Sequence, residues 1–474
     1  MKLTLVGHSE KYLCEGLALL FFPGVRFRDG EDGFEAVIEW DGAEARTTLF
    51  DHGREESASA RDDDCEVAIG KSFLAAGEAL TGYRPEWGSL TGIRPARIAK
   101  KLLLEGLTGA EVQERMARDY RTSSAKSALA LEAARRERAA EELCGRDPVS
   151  LYLSIPFCPS RCAYCSFVSQ SVERCAPLME PYVEALLSEL SAMVEVIEEL
   201  SLSLTTVYIG GGTPTALPPH LLERLLSGLA DRVDLRSLRE FTVEAGRPDT
   251  VTAEKLALIK AAGAGRISIN PQTLQDRVLQ TIGRRHTVDD FRRAMETAAS
   301  FGFDSINCDL IAGLPGETAE EFRRGLLEVL SYDPANVTVH TLSVKRAANL
   351  RPQGDELLHE RAGIAEMVDG AYRTLCDAGF HPYYLYRQKN TLGNFENVGY
   401  AKADKDGLYN IYIMGELHTI AAVGAGATTK FVDAKNGYIE RAYNKKYPKE
   451  YLDGAGDWTS AAKLRELYRK SRES

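Results

Sequence analysis

Ser154-Ile-Pro-Phe-Cys158-Pro-Ser-Arg-Cys162-Ala-Tyr-Cys165-Ser-Phe167 carries three cysteines at C-x3-C-x2-C spacing, directly after the apolar run 151–155. That run alternates and ends on a β-branched residue, so it is predicted as a strand. The cysteines then sit on the loop leaving the strand's C-terminal end, where parallel α/β architectures place their chemistry. Three closely spaced thiolates suit one soft metal centre, and an iron–sulfur cluster is a natural occupant. A four-iron cluster ordinarily takes four cysteines. Three leave one iron with an open position, and an open position implies a reaction, as it does for zinc. Two blander readings compete: a zinc site completed by a distant residue, or three buried thiols. A structural zinc site usually brings a second C-x2-C or a histidine pair, and the chain has no second C-x2-C. Buried thiols have no need of Pro159 and Arg161 between them.

Downstream, the text alternates between strand and helix patterns. Strands are predicted at 151–155, 206–209, 240–244, 266–269, 305–311 and 336–342, and helices at 182–200, 219–229, 253–262, 288–301 and 319–330. Six such units imply a parallel sheet with right-handed crossovers. Six are too few for a closed eight-stranded barrel, which leaves a partial barrel or a doubly wound open sheet. Gly210-Gly-Gly-Thr-Pro-Thr215 follows the second strand. It does not fit the G-x-G-x-x-G fingerprint. Bare glycines after a strand let a ligand approach the backbone, and a tight turn is the plain alternative. Polar residues mark further strand ends: Glu244, Gln272, Arg284, and Asp309 inside Ile306-Asn-Cys-Asp-Leu-Ile311. An acid in an apolar strand needs a partner, and several polar residues at one end of a sheet read as a site.

The flanking regions complete a four-part organisation. Residues 1–83 read as a small α+β domain: a strand at 2–6, a helix at 10–22, a hairpin of 34–40 and 44–50 across Asp41-Gly42, and a helix at 65–80 behind Asp62-Asp63-Asp64. Cys14 and Cys65 are expected to be core thiols, and His8 and His52 surface or turn residues. Residues 84–148 form a helical linker that opens on the breaker-rich Trp87-Gly-Ser-Leu-Thr-Gly-Ile-Arg-Pro-Ala96. Its helices span 97–105, 109–119 and 123–144, the last with a solvated charged face. Residues 149–345 hold the strand–helix units. Residues 346–474 are expected to cover them, with a helix at 355–378, a strand-like 408–414, the small-residue run 420–427 and a charged helix at 458–474.

The chain has 474 residues, 44% hydrophobic and 27% charged, with a net charge of -11. This is an ordinary globular composition, and the charge disfavours nonspecific nucleic-acid binding. No apolar run is long enough to span a bilayer, and Met1–Val6 is too short for a signal peptide. Nine scattered cysteines are no disulfide scaffold and favour a reducing cytoplasm.

The cysteine spacing resembles the signature of the radical SAM enzymes. Residues 210–215, Thr242-Val-Glu-Ala245, Pro271-Gln272, Gly283-Arg-Arg-His286 and Asp309-Leu-Ile-Ala-Gly-Leu-Pro-Gly-Glu317 resemble the oxygen-independent coproporphyrinogen III oxidase family, over residues 149–432. The N-terminal unit, residues 87–96, Arg266-Ile-Ser-Ile-Asn-Pro-Gln272 and Tyr384-Leu-Tyr-Arg-Gln-Lys389 are similar to its HemZ-type coproporphyrinogen dehydrogenase branch.

The resemblance implies an α/β fold: a partial (β/α)6 barrel with the small N-terminal α+β domain, the helical linker and a C-terminal α+β cover. It also implies a [4Fe-4S] cluster on Cys158, Cys162 and Cys165, whose open iron binds S-adenosylmethionine (SAM) and whose electron splits it to a 5′-deoxyadenosyl radical. Tyr152, Gly211 and Glu244 would contact that SAM. Tyr164, Gly212, Thr213, Gln272, Arg284, Asp309 and Ser343 occupy the places that hold a second SAM in similar enzymes, so one or two SAM molecules are implied. The implied reaction is oxidative decarboxylation of two propionates of coproporphyrinogen III to vinyls in haem biosynthesis. The implied partners are this tetrapyrrole and a reductant protein such as flavodoxin or ferredoxin. Cations for the substrate carboxylates would come from Lys345, Arg346, Arg387, Lys389 and Lys430. Two departures stand out. Oxidases of the family carry a further cysteine where this chain has Phe167. The related haem chaperones carry a His-Asn pair where it has Glu396-Asn-Val-Gly-Tyr400. Other readings are a different radical reaction on a tetrapyrrole, such as methyl transfer with ring opening, and a haem-binding carrier.

Overall fold

The structure, a computed structural model, describes residues 1–27, 33–92, 94–165, 169–343, 356–388, 392–433 and 436–473. The chain divides into two compact units. One is Met1–Arg135 with Leu385–Lys389; the other is Arg136–Tyr384 with Asn390–Ser474.

In the first unit, β1 (Lys2–Val6) runs parallel to β2 (Phe34–Trp40), followed by antiparallel β3 (Glu44–Asp51) and β4 (Arg54–Arg61). The β2–β3 turn is fixed by Asp41, whose Oδ1 accepts the N–H groups of Ala43 (2.9 Å) and Glu44 (2.8 Å). β4 was not expected. It reads Arg-Glu-Glu-Ser-Ala-Ser-Ala-Arg and is largely exposed, because an edge strand needs backbone pairing more than an apolar face. The helices Lys11–Phe21 and Cys65–Thr81 bury Cys14, Leu17, Phe21, Ile69 and Phe73 with Ile38 and Leu49. Asp64 caps the second helix by accepting the N–H groups of Glu66 and Val67. Cys14 is a core thiol, and burial pushes its pKa up to about 12. Cys65 is only half-buried.

The second unit is built on one open sheet. In chain order its strands are β5 (Pro148–Ile155), β8 (Ser203–Gly211), β9 (Glu240–Glu244), β10 (Arg266–Ser268), β11 (Ser305–Ala312), β12 (Asn336–Thr341), β13 (His381–Arg387), β14 (Glu396–Ala401), β15 (Thr419–Val423), β16 (Thr428–Asp433) and β17 (Tyr438–Tyr443). Two short strands, β6 (Phe157–Cys158) and β7 (Gln170–Ser171), pair separately. The main sheet has the order β13-β14-β12-β11-β10-β9-β8-β5-β15-β16-β17. The six expected strands are present and parallel, and β15 adds a seventh beside β5. β14, β16 and β17 are antiparallel. The C-terminal strands therefore extend the sheet itself as well as lying beyond it in sequence.

Alternation gives the sheet two chemically different faces. Leu151, Leu153, Val207, Ile209, Val243, Ile267 and Cys308 are fully buried, each contributing about 1.5–3 kcal/mol where the side chain is large. The intervening positions are polar. Threonines cap successive crossover helices: Thr252, Thr287 and Thr318 each accept a backbone N–H, the last two in capping boxes with Asp290 and Glu321.

One expectation is extended and one fails. The helix expected at 182–200 is Val172–Glu199 and carries Pro177 and Pro181 within it. Its apolar stripe of Cys175, Met179, Tyr182, Leu186 and Leu190 is buried, and packing outweighs the local proline cost. The strand-like 408–414 is the helix Leu408–Gly415. Its Tyr-Ile alternation suits a strand, but Glu240 accepts the N–H groups of Leu408 (2.7 Å) and Tyr409 (3.2 Å) and so caps a helix there. No helix among the described residues is long and apolar enough to cross a membrane.

Candidate active site

The register of the parallel strands stacks the polar face in layers. Tyr152 lies beside Tyr208, Tyr208 beside Thr242, and Thr242 beside Arg266. One layer toward the C-terminal ends, Glu244, Ser268 and Asn307 are neighbours, and beyond them Asp309 pairs with Thr338. The Tyr152 and Tyr208 rings stack at 6.1 Å, and Tyr409 from the helix Leu408–Gly415 stacks on Tyr208 at 4.4 Å.

Tyr208 donates its hydroxyl to Glu244 Oε1 at 2.5 Å. The Gly211 N–H also supports the Glu244 carboxylate, yet burial pushes its pKa up to about 7, with the Asp309 charge adding to the shift. Asp309 goes the other way. Burial raises its pKa, but His340, Asn307 and Thr338 outweigh it and hold the carboxyl below its usual range. Asn307 Nδ2 donates to Asp309 Oδ1 at 2.7 Å, and His340 Nε2 lies 3.6 Å from Oδ2. The same Asn307 amide donates to Ser268 Oγ at 2.9 Å, and Ser268 donates to Asn270 Oδ1 at 2.6 Å.

The cysteine loop meets this end of the sheet. Cys158 is buried on β6, with its Sγ 3.4 Å from Thr213 Oγ1. Burial raises the Cys158 thiol pKa, partly offset by Thr213 and Ser169 and by the charge of Arg247. A Cβ on Gly212 would stand 2.7 Å from the Phe157 carbonyl and 2.9 Å from Cys158 Sγ, and Gly211 has φ +109°. These glycines are therefore needed for backbone approach to the cysteine loop, whatever else they bind. The far side of the loop is tied to residues 282–283, through Ala163 N–H to the Ile282 carbonyl (2.9 Å) and Ser160 Oγ to the Gly283 carbonyl (2.8 Å). Cys162 has Arg247 Nη1 at 3.9 Å and further hydrogen-bonding neighbours in Tyr164 and Arg284.

Among the described residues, no group of three or more His, Cys, Asp or Glu side chains converges on a point as metal ligands do. Cys158, Cys162 and Cys165 share one loop. Their chemistry fits an anionic thiolate-bound cluster: three thiols stand on one loop, the loop is anchored on both sides, and two buried guanidinium groups adjoin Cys162. Ser166, Phe167 and Val168 lie outside the described residues, and the Phe167 departure with them.

Gln272 is buried and held at φ +68°. Its backbone bonds Asp309 and Ile311 at 2.9 Å each, and its Oε1 has no hydrogen-bond partner. A left-handed non-glycine residue costs on the order of 1 kcal/mol, and an unpaired buried acceptor about 1–3 kcal/mol. Both features leave a strained residue with an open acceptor at this end of the sheet. Buried Arg284 donates through Nη1 to the carbonyls of Asn270 (2.7 Å) and Gly246 (3.3 Å), while its Nε is unpaired. Tyr164 is half-buried beside it, and burial raises its hydroxyl pKa. Ser343 is half-buried just past β12. The fold thus brings Tyr152, Gly211, Gly212, Thr213, Glu244, Gln272, Arg284 and Asp309 to one polar face and its C-terminal end, with the cysteine loop against it.

The expected substrate cations fare differently. Arg387 is buried in the first unit, donating to the Leu90 carbonyl and lying over the Trp87 ring at 5.6 Å, so it is a packing residue. Lys430 donates to the Ile413 carbonyl at 3.0 Å and pairs with Glu416 at 3.5 Å. Lys345, Arg346 and Lys389 lie outside the described residues. Sequence reasoning missed Tyr208, Arg247, Asn307 and His340. The period-two spacings Asn307–Asp309 and Thr338–His340 were a usable signal; Arg247, on an irregular loop, offered none.

The family profile described as the Radical SAM superfamily matches residues 152–326. The chain is similar to the oxygen-independent coproporphyrinogen-III oxidase-like protein HemZ of Bacillus subtilis, with 40% identity over 378 residues, 79% of this chain and 75% of that protein. It is similar to the heme chaperone HemW of Bacillus subtilis at 34% identity, over 64% of this chain and 75% of that protein. Among solved structures it resembles coproporphyrinogen III oxidase (HemN) from Escherichia coli, with 21% identity, TM-score 0.48, and coverage of 67% and 71%.

Proposed function

Because the chain belongs to the radical SAM superfamily, and within it to the family of oxygen-independent coproporphyrinogen-III oxidase-like proteins, we propose that it catalyses the oxygen-independent oxidative decarboxylation of coproporphyrinogen III to protoporphyrinogen IX. A [4Fe-4S] cluster and SAM, which the superfamily implies, would supply the reducing electron and the 5′-deoxyadenosyl radical. Cys158, Cys162 and Cys165 would hold the cluster. Glu244, ionised, would accept from the SAM ammonium group. Gly211 and Gly212, lacking side chains, would admit it to the backbone, and Tyr152 would flank it. Gln272 Oε1, Asp309, Arg284, Tyr164, Thr213 and Ser343 would bind further adenosyl or carboxylate groups of one or two SAM molecules. Stacked Tyr152, Tyr208 and Tyr409 would exclude water from the reacting face.

The observation that carries this reading is the juxtaposition of the cysteine loop with Glu244, Gly211 and unpaired Gln272 Oε1 at one sheet end. A haem-carrying role is the second reading, favoured by the similarity to HemW. Anaerobic reconstitution tests the pair. The proposed reading expects about four iron per chain and release of 5′-deoxyadenosine from SAM under reduction. Stoichiometric haem uptake with no SAM cleavage supports the carrier and contradicts the enzyme.

A further inference from the structure

Arg247 is a buried charge that the SAM contacts do not use. It follows Glu244 by three residues, on the loop leaving β9, and its side chain is 3% exposed. Nη1 lies 3.2 Å from the Ser160 carbonyl and 3.9 Å from Cys162 Sγ, and Nη2 lies 3.1 Å from Ser160 Oγ. Nε makes no hydrogen bond, and Asp249 Oδ1 is 3.4 Å from it. The charge reaches beyond Cys162. After burial and Arg284, it is a further reason that His286 stays neutral, with a pKa lowered to about 3. Arg284 brings a second buried guanidinium to Cys162. With Asp249 as the carboxylate paired to Arg247, positive charge is in excess around the loop. Buried charge in excess is costly unless anions answer it, and thiolates of the loop are anions in the right place.

Resting on the reading that Cys158, Cys162 and Cys165 hold a [4Fe-4S] cluster, we propose that Arg247 is a positioning residue that raises the cluster's reduction potential. It holds the loop at Ser160 and presents a fixed cation and an N–H to the Cys162 sulfur. With three thiolates, an oxidised [4Fe-4S]2+ core carries one net negative charge. One electron from a low-potential donor makes it two, with no proton taken up. A buried cation and a hydrogen bond to a ligating sulfur stabilise the more negative state. Lysine at this position keeps the charge but loses the planar fork that reaches Ser160 and Cys162 together.

The test uses the full-length protein, wild type with Arg247→Gln, Arg247→Lys and Ser160→Ala, each reconstituted anaerobically. Iron is counted, and the cluster is titrated with dithionite and mediators while the reduced signal is followed by electron paramagnetic resonance. Arg247→Gln is expected to keep its iron while the reduced-to-oxidised ratio at the wild-type midpoint falls about tenfold, a downward shift of about 59 mV for a one-electron couple. Arg247→Lys should fall between. Ser160→Ala, which loosens the loop but keeps the charge, should stay within about threefold of wild type. If Arg247→Gln loses its iron, the lysine variant carries the test. A midpoint equal to wild type in the variant that keeps its cluster overturns the proposal. Iron loss in both arginine variants reduces Arg247 to a scaffold residue and overturns it too. A wild-type chain that takes up no cluster overturns the underlying reading first.

Discussion

At the N-terminal ends of the parallel strands, buried Arg266 donates to Ser305 Oγ (3.0 Å), Asn336 Oδ1 (2.8 Å), the Lys405 carbonyl (3.3 Å) and the Tyr383 hydroxyl (3.2 Å). Beside it Glu240 caps the helix Leu408–Gly415, and both ring nitrogens of His418 have partners in Ser150 and Cys144. At the C-terminal ends, Arg247 Nε, Arg284 Nε and Gln272 Oε1 are buried without hydrogen bonds, and Glu244 titrates near 7. Both ends bury polar groups of the same kinds. One pairs most of them, the Tyr412 hydroxyl beside His418 being an exception, and a largely paired network specifies a fold. The other leaves more capacity open at a stability cost, which is what the proposed site would use.

The contrast can be broken experimentally, most sharply at the cysteines. Cys158→Ala, Cys162→Ala or Cys165→Ala should abolish iron uptake, while Cys175→Ala and Cys308→Ala retain it. Iron analysis showing no difference between the two sets would remove the site end from the account. Next in size, Arg266→Ala should destabilise by about 3–5 kcal/mol, since it strands partners of a buried charge. Urea unfolding reads this loss, and SAM affinity of the folded fraction should be unchanged. An Arg266 variant of normal stability would show that the paired network is not what holds that end.

Glu244 offers a pH test. Its folded pKa, about 7, lies above the ordinary 4.5. The folded chain therefore holds a proton that the unfolded chain releases, and this group's contribution to stability falls as pH rises between those values. SAM binding should follow the ionised form, strengthening up to roughly tenfold per unit below pH 7 and levelling above it. Glu244→Gln should bind weakly at every pH. Calorimetry finding the same pH profile in both proteins would contradict the assignment. The smallest effect is expected at Gln272. Gln272→Gly relieves a left-handed backbone and an unpaired acceptor, and should gain about 1 kcal/mol in stability while weakening SAM binding. A loss of stability there would mean that the side chain supports the fold.

The strand–helix alternation was legible because period-two and period-3.6 patterns survive in single sequences. The three cysteines and the strand-end residues Glu244, Gln272, Arg284 and Asp309 were legible from their spacing and placement. What escaped depended on long-range partners. β4 is polar because it is an edge. The helix Leu408–Gly415 is set by a carboxylate 168 residues away in sequence. Pro177 and Pro181 are tolerated by packing. Arg247 acquires its meaning only when β9 brings it against Ser160 and Cys162. Arg387 looked like a substrate cation because charge is visible in a sequence and burial against Trp87 is not.

The most direct measurement combines substrate and cofactor. Wild-type protein, reconstituted and reduced anaerobically, is incubated with SAM and coproporphyrinogen III, and products are read by mass spectrometry. The expected product is lighter by two carbon dioxide units and four hydrogens, with 5′-deoxyadenosine formed alongside, and neither from Cys162→Ala. Cleavage of SAM with the tetrapyrrole unchanged would contradict the substrate assignment. Conversion by the cysteine variant would contradict the site.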